Sequence, residues 1–145
     1  MKFAFIALGL LCAWPLSFQI ERSQTLRSIL WVLVGVIPFA ATFINLQPAL
    51  IPWEDWKGHT YGLDIGLIDI IALGFFLARK RGRNIAFPHF VFLLFTSALI
   101  LSLFQAEEPL ASIFYIWQFI RIYFVAYVVA MYSDDDSVPL DILKG

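Results

Sequence analysis

LDIGLIDIIALGFFLARKRGR, residues Leu63–Arg83, decides the class of this chain. The stretch is apolar except for Asp64 and Asp69, and it ends in Arg79, Lys80, Arg81 and Arg83. A run of about twenty mostly apolar residues crosses a hydrocarbon core of about 30 Å as a helix. Leu63–Ala78 is a little shorter, a mismatch that bilayer thinning or snorkelling flanks absorb. Lys and Arg clustered after a span mark its cytoplasmic end. One stretch therefore implies a membrane span, an orientation, and two carboxylates in or near lipid, where charge is costly.

Composition extends this reading to the whole chain. Of 145 residues, 61% are hydrophobic and 14% charged, with 15 Phe, 5 Trp and 5 Tyr. The mean hydropathy is +0.81. A soluble domain is about 45–50% apolar and about 25% charged, so lipid is the expected solvent. The net charge of −1 argues against nucleic acid as a partner. Cys12 is the single cysteine and permits no internal disulfide. The N-terminal apolar run could serve as a signal peptide, but Leu11 and Trp14 interrupt the small-residue cleavage pattern, so it reads as a retained span.

The expected fold is all-α: a polytopic membrane domain of five spans at residues 3–20, 28–46, 63–78, 89–104 and 113–132. Pro15 and Pro38 fall inside the first two and would bend them. The 21–27 stretch reads as a polar connection. Gln47–Gly62, with Trp53, Trp56 and Tyr61, reads as a segment lying along the outer membrane surface. Arg22, Arg27, Arg79, Lys80, Arg81, Arg83 and Lys144 fall on one side of this topology, and Lys2 and Lys57 on the other. The seven-to-two asymmetry puts the first and third connections and the tail in the cytoplasm. The expected localisation is a membrane, crossed several times.

Arg121 is the principal candidate for chemistry. It lies eight residues into the fifth span, roughly 12 Å deep at about 1.5 Å per residue. Ionisable groups at that depth face a protein interior or a watery cavity. Two readings stand side by side. One is a structural ion pair between Arg121 and Asp69 or Asp64. The other is a lipid-phosphate site, since a guanidinium matches phosphate and Gln118 shares the Arg121 face. On a continuous helix Asp64 and Asp69 would lie on roughly opposite sides. Asp64 then reads as a helix cap, and Asp69 as the better partner for Arg121, with a proton relay as a further possibility. His59 reads as a loop histidine and His89 as interfacial. No Cys/His metal pattern, Gly-rich phosphate loop or nucleophile elbow occurs, so neither metal nor cofactor is expected.

Leu8–Ser17 (LGLLCAWPLS), Tyr61–Leu73 (YGLDIGLIDIIAL) and Trp117–Ala130 (WQFIRIYFVAYVVA) together resemble the N-terminal part of the O-antigen ligase and polymerase-like family. The resemblance implies a membrane segment of a bacterial glycan ligase or polymerase. The segment would contact membrane lipid and a polyprenyl-linked saccharide. Members of that family are longer and keep their key arginines and histidines in a later half, so no catalytic residue transfers. Val138–Gly145 reads as the lead-in to a further span. The alternative expectation is a non-enzymatic accessory or transport subunit with a structural intramembrane ion pair.

Overall fold

The computed structural model of the protein describes residues 2–44, 49–52, 62–78, 89–133, 135 and 137–145, with side chains described except at 2–6, 41–44 and 49–52. It is mostly helical. The elements are helices α1 (Lys2–Arg22) and α2 (Gln24–Ile44), strands β1 (Ala49–Pro52) and β2 (Gly62–Asp64), then helices α3 (Leu67–Ala78), α4 (His89–Ser102), α5 (Pro109–Tyr132) and α6 (Ser137–Lys144). A single 3-10 turn, Leu103–Gln105, ends α4.

Several boundaries differ from the hydropathy pattern, each for a local reason. The polar 21–27 stretch is no loop. Ser23 alone separates α1 from α2, and its hydroxyl accepts the Leu26 N–H at 3.2 Å, capping a first turn that hydropathy cannot see. The fifth helix starts at Pro109, a residue suited to the first helical position because it brings no N–H that needs an acceptor. The 63–78 span divides. Residues 62–64 form β2, paired antiparallel with β1 in the register Ala49↔Asp64, Ile51↔Leu63 and Pro52↔Gly62. Gly62 takes a φ of 127° at the start of that strand, a conformation that favours glycine. Helix α3 begins only at Leu67, where the Asp69 carboxylate reaches back to the Gly66 N–H at 2.7 Å. Asp69, not Asp64, therefore caps the helix, in the manner of the return arm of a capping box. The tail, where Val138–Gly145 was expected to lead into a further span, forms the short helix α6. Trp53, Trp56, His59, Tyr61 and the basic 79–88 turn lie outside the described residues.

Helices α1, α2 and α5 pack against α3. Helix α1 runs parallel to it, with Gly9 against the Ile70 side chain and Gly74 against Leu16 and Ile20. The glycines bring these backbones close, as small residues do between membrane helices. Helix α5 also runs parallel to α3, since Gln118 meets Asp64, Arg121 meets Asp69 and Tyr132 meets Phe75 in ascending order, and α2 runs antiparallel. Trp31 of α2 stacks on Phe75 of α3 with centroids 4.0 Å apart. Tyr132 of α5 meets Phe75 edge-on at 5.3 Å and donates its hydroxyl to the Phe75 carbonyl at 2.8 Å. Around these rings lie Ile20, Leu30, Val34, Ile71, Val128 and Val138, which close the core.

Helix α4 buries no residue. It lies along α5 through aromatic contacts, with Phe92 on Tyr123 at 3.4 Å and on Phe119 at 5.5 Å. Its other side exposes Phe90, Val91, Leu93, Leu94, Ile100 and Leu101, and α1 exposes Leu8, Leu11, Trp14 and Phe18. Buried polar groups, in contrast, include Ser17, Asp64, Arg121 and Asp141. Among the described residues, α5 is the one helix both long and apolar enough to cross a bilayer; Gln24–Ala40, Leu67–Ala78 and His89–Gln105 are apolar but shorter.

Candidate functional site

The Arg121 guanidinium is 8% exposed, inside the angle formed by α5, α3 and β2. Its Nε and Nη2 donate to Asp69 Oδ2 at 2.9 and 2.6 Å. Its Nη1 lies 2.6 Å from Asp64 Oδ1 and donates to Gln118 Oε1 at 3.1 Å. Gln118 Nε2 in turn donates to Asp64 Oδ1 at 2.5 Å, and Trp117 Nε1 donates to the Asp64 main-chain carbonyl at 2.8 Å. Three consecutive functions thus sit on one turn of α5. Trp117 holds the strand backbone, Gln118 holds its carboxylate, and Arg121 joins that carboxylate to Asp69.

The geometry follows from the break between β2 and α3. Were residues 63–78 one helix, Asp64 and Asp69 would diverge. As strand and helix joined through Ile65 and Gly66, they converge on one cation. Asp69 serves twice, since the oxygen that takes Arg121 also caps α3 through Gly66. Charge-assisted hydrogen bonds of this kind are the strong ones, and in a low-dielectric interior each is worth more than in water. All three guanidinium nitrogens are engaged, so a phosphate approaching Arg121 would meet two carboxylates before an open donor. The cluster pins three elements together and offers neither a nucleophile nor an open acid–base pair. Among the described residues no group of His, Cys, Asp and Glu could hold a metal ion.

A second polar set lies at the opposite end of the bundle. Arg27 Nη2 donates to the Ile20 carbonyl at 3.4 Å, tying the end of α1 to α2. Its Nη1 faces Asp135 at 3.9 Å. Ser28 donates to Asp141 through a short hydrogen bond, and Lys144 donates to the same carboxylate at 2.7 Å. Hydrogen bonds from Ser137 hold Asp135 below the usual carboxylate range. His89, at the start of α4, has Nδ1 2.5 Å from the Tyr123 hydroxyl and its ring 5.3 Å from that of Tyr127.

Hydropathy alone singles out Arg121, Gln118 and Asp69. It misses Trp117, which looks like any interfacial aromatic, and it misassigns Asp64. The signal for Asp64 was local: Gly62 and Gly66 bracket it, and glycines so spaced interrupt a helix. Compared with family models, curated proteins and solved structures, the chain matches none.

Proposed function

We propose that the chain is a multi-pass domain of the bacterial cytoplasmic membrane, acting as a structural accessory or transport-type subunit and not as a catalyst. One observation carries this reading: the molecule is apolar outside and charged inside. Helix α4 exposes Phe90, Leu93, Leu94 and Leu101 and buries nothing, while Arg121, Asp64 and Asp69 are withdrawn into the interior. Water would penalise that exterior, and lipid would penalise charges placed anywhere but inside. The shorter helices α3 and α4 fit a bilayer that thins locally around them.

The engagement of all three Arg121 nitrogens supports the structural role. A guanidinium that binds substrate phosphate keeps donors free for it, whereas this one is shared among Asp69, Asp64 and Gln118. The reading as a segment of a glycan ligase or polymerase rests on the resemblance alone, and nothing in the cluster adds to it.

Reporter fusions test the topology. A fusion after Arg83 should report cytoplasm and one at Lys57 the opposite compartment, as the distribution of Lys and Arg requires. The same compartment at both points would end the multi-pass reading.

A further inference from the structure

We infer that α6 is a re-entrant helix whose outer face contacts the acyl chains of the cytoplasmic leaflet. The inference rests on the multi-pass reading and its orientation, and it follows from the level at which each residue of α6 meets α2. Asp135 stands beside Arg27. Asp141 takes the Ser28 hydroxyl. The Ile142 carbonyl occupies the place a Gly35 side chain would need, and Gly145 lies on the Val32 carbonyl and Val36 amide. From Asp135 at Arg27 to Ile142 and Gly145 at Val32–Val36 the two run in the same direction, so the chain turns at the cytoplasmic end of α5 and travels back up alongside α2. From Arg27 to Val36 is nine helical residues, roughly 13 Å at about 1.5 Å per residue. That is close to one leaflet of a core about 30 Å thick.

The chemistry of α6 suits this course. Asp135 closes its first turn at the aqueous edge, accepting the Ser137 amide at 3.1 Å and hydroxyl at 2.6 Å. Val138 is 1% exposed and belongs to the core around Trp31 and Phe75. Leu140 and Leu143, 59% and 82% exposed, face away from the bundle. Two charges travel with the helix, and each is accounted for. Asp141 is held by Ser28 and Lys144. Lys144, the deeper of the two in sequence, turns back one turn to reach Asp141, as a snorkelling lysine does. A helix lying flat on the membrane surface would cross α2 and could not follow it from Arg27 to Val36.

Nitroxide labels on the full chain in nanodiscs test this. Single cysteines replace Ser137, Leu140, Leu143 and, as a control on α4, Leu94, in a Cys12→Ser background; all four side chains are exposed, and only Ser137 gives up a hydrogen bond, to Asp135, while its amide keeps the other. Collision with oxygen reports lipid, and collision with a water-soluble nickel chelate reports the aqueous phase. The expected result is lipid at Leu94 and Leu143, water at Ser137, and greater depth at Leu143 than at Leu140. Equal depths at Leu140 and Leu143 would mean a helix lying flat, and an aqueous signal at Leu143 would mean a tail outside the membrane. Either result, with Leu94 still in lipid, overturns the re-entrant helix and leaves the multi-pass reading standing. An aqueous Leu94 overturns both.

Discussion

Asp64 and Asp69 grip two edges of one guanidinium: Asp64 Oδ1 lies 2.6 Å from Nη1 of Arg121 and Asp69 Oδ2 lies 2.6 Å from Nη2. One comes from a strand and the other from the first turn of a helix. The pairing therefore fixes the angle between the β-pair and α3 as well as the seat of α5. Removing any one member leaves buried charge behind, and the cost of that residue charge governs how the cluster responds to substitution.

Arg121→Ala should destabilise the protein by about 3 kcal/mol or more, the scale for breaking a buried ion pair. Asp64→Asn and Asp69→Asn, added together to Arg121→Ala, should recover much of the loss because no buried charge is left unpaired. Asparagine at 69 keeps an oxygen for the Gly66 cap. Unfolding curves in nanodiscs measure this as a mutant cycle. Losses that simply add would show that the three residues act independently.

The phosphate reading of Arg121 and Gln118 makes an opposite demand. With all three guanidinium nitrogens engaged and two carboxylates beside them, a polyprenyl phosphate should leave the melting temperature of the wild-type chain unchanged. A saturable rise that Gln118→Ala abolishes would mean that the lipid displaces a carboxylate, and it would restore the anion site.

Two glycines should respond unequally to alanine. At Gly35 the added methyl meets the Ile142 carbonyl, which is backbone and cannot swing aside. At Gly74 it comes 2.9 Å from Leu16 Cδ2, the far end of a flexible side chain. Gly35→Ala should cost about 1–3 kcal/mol, the usual range for overpacking, and should loosen a label at Ser137. Gly74→Ala should cost less. Equal losses would contradict the close approach of α6 to α2.

The tail should let go in acid. Asp135 is held below the usual carboxylate range by Ser137 and, more weakly, by Arg27. A carboxylate with a lowered folded value contributes stability above its unfolded value, near 4, and loses it as pH falls through the folded one. Mobility of a label at Leu140, which leaves Ser137 in place, should therefore be low at neutral pH and rise below about pH 4. A mobility that rises toward alkaline pH would have the sign wrong.

Helix existence was plain from hydropathy; helix ends and partners were not. Apolar runs locate α1 to α5 because an apolar helix is legible from composition over a long window. Ser23 and Pro109 lengthen α2 and α5 through caps of one residue, which a window averages away. Arg121 and Asp69 each stand out as a charge within an apolar run, so their meeting could be expected. Asp64 could not be placed while the helical period was applied across Gly66. The acidic tail reads as solvated because its neutralising groups, Arg27 and Ser28, lie over a hundred residues away, and no local pattern records them.

The docking of α6 on α2 also orders events in time. Gly35 leaves the ribosome about a hundred residues before Ile142, which at 5–20 residues per second is roughly 5–20 s. During that interval the side of α2 that α6 will cover has no partner from its own chain. The Trp31 side of the core is likewise unsealed until Val138 arrives. Nascent chains arrested short of Ser137 should therefore be the ones that insertion factors and quality-control proteases hold longest, and release should coincide with synthesis of the last helix.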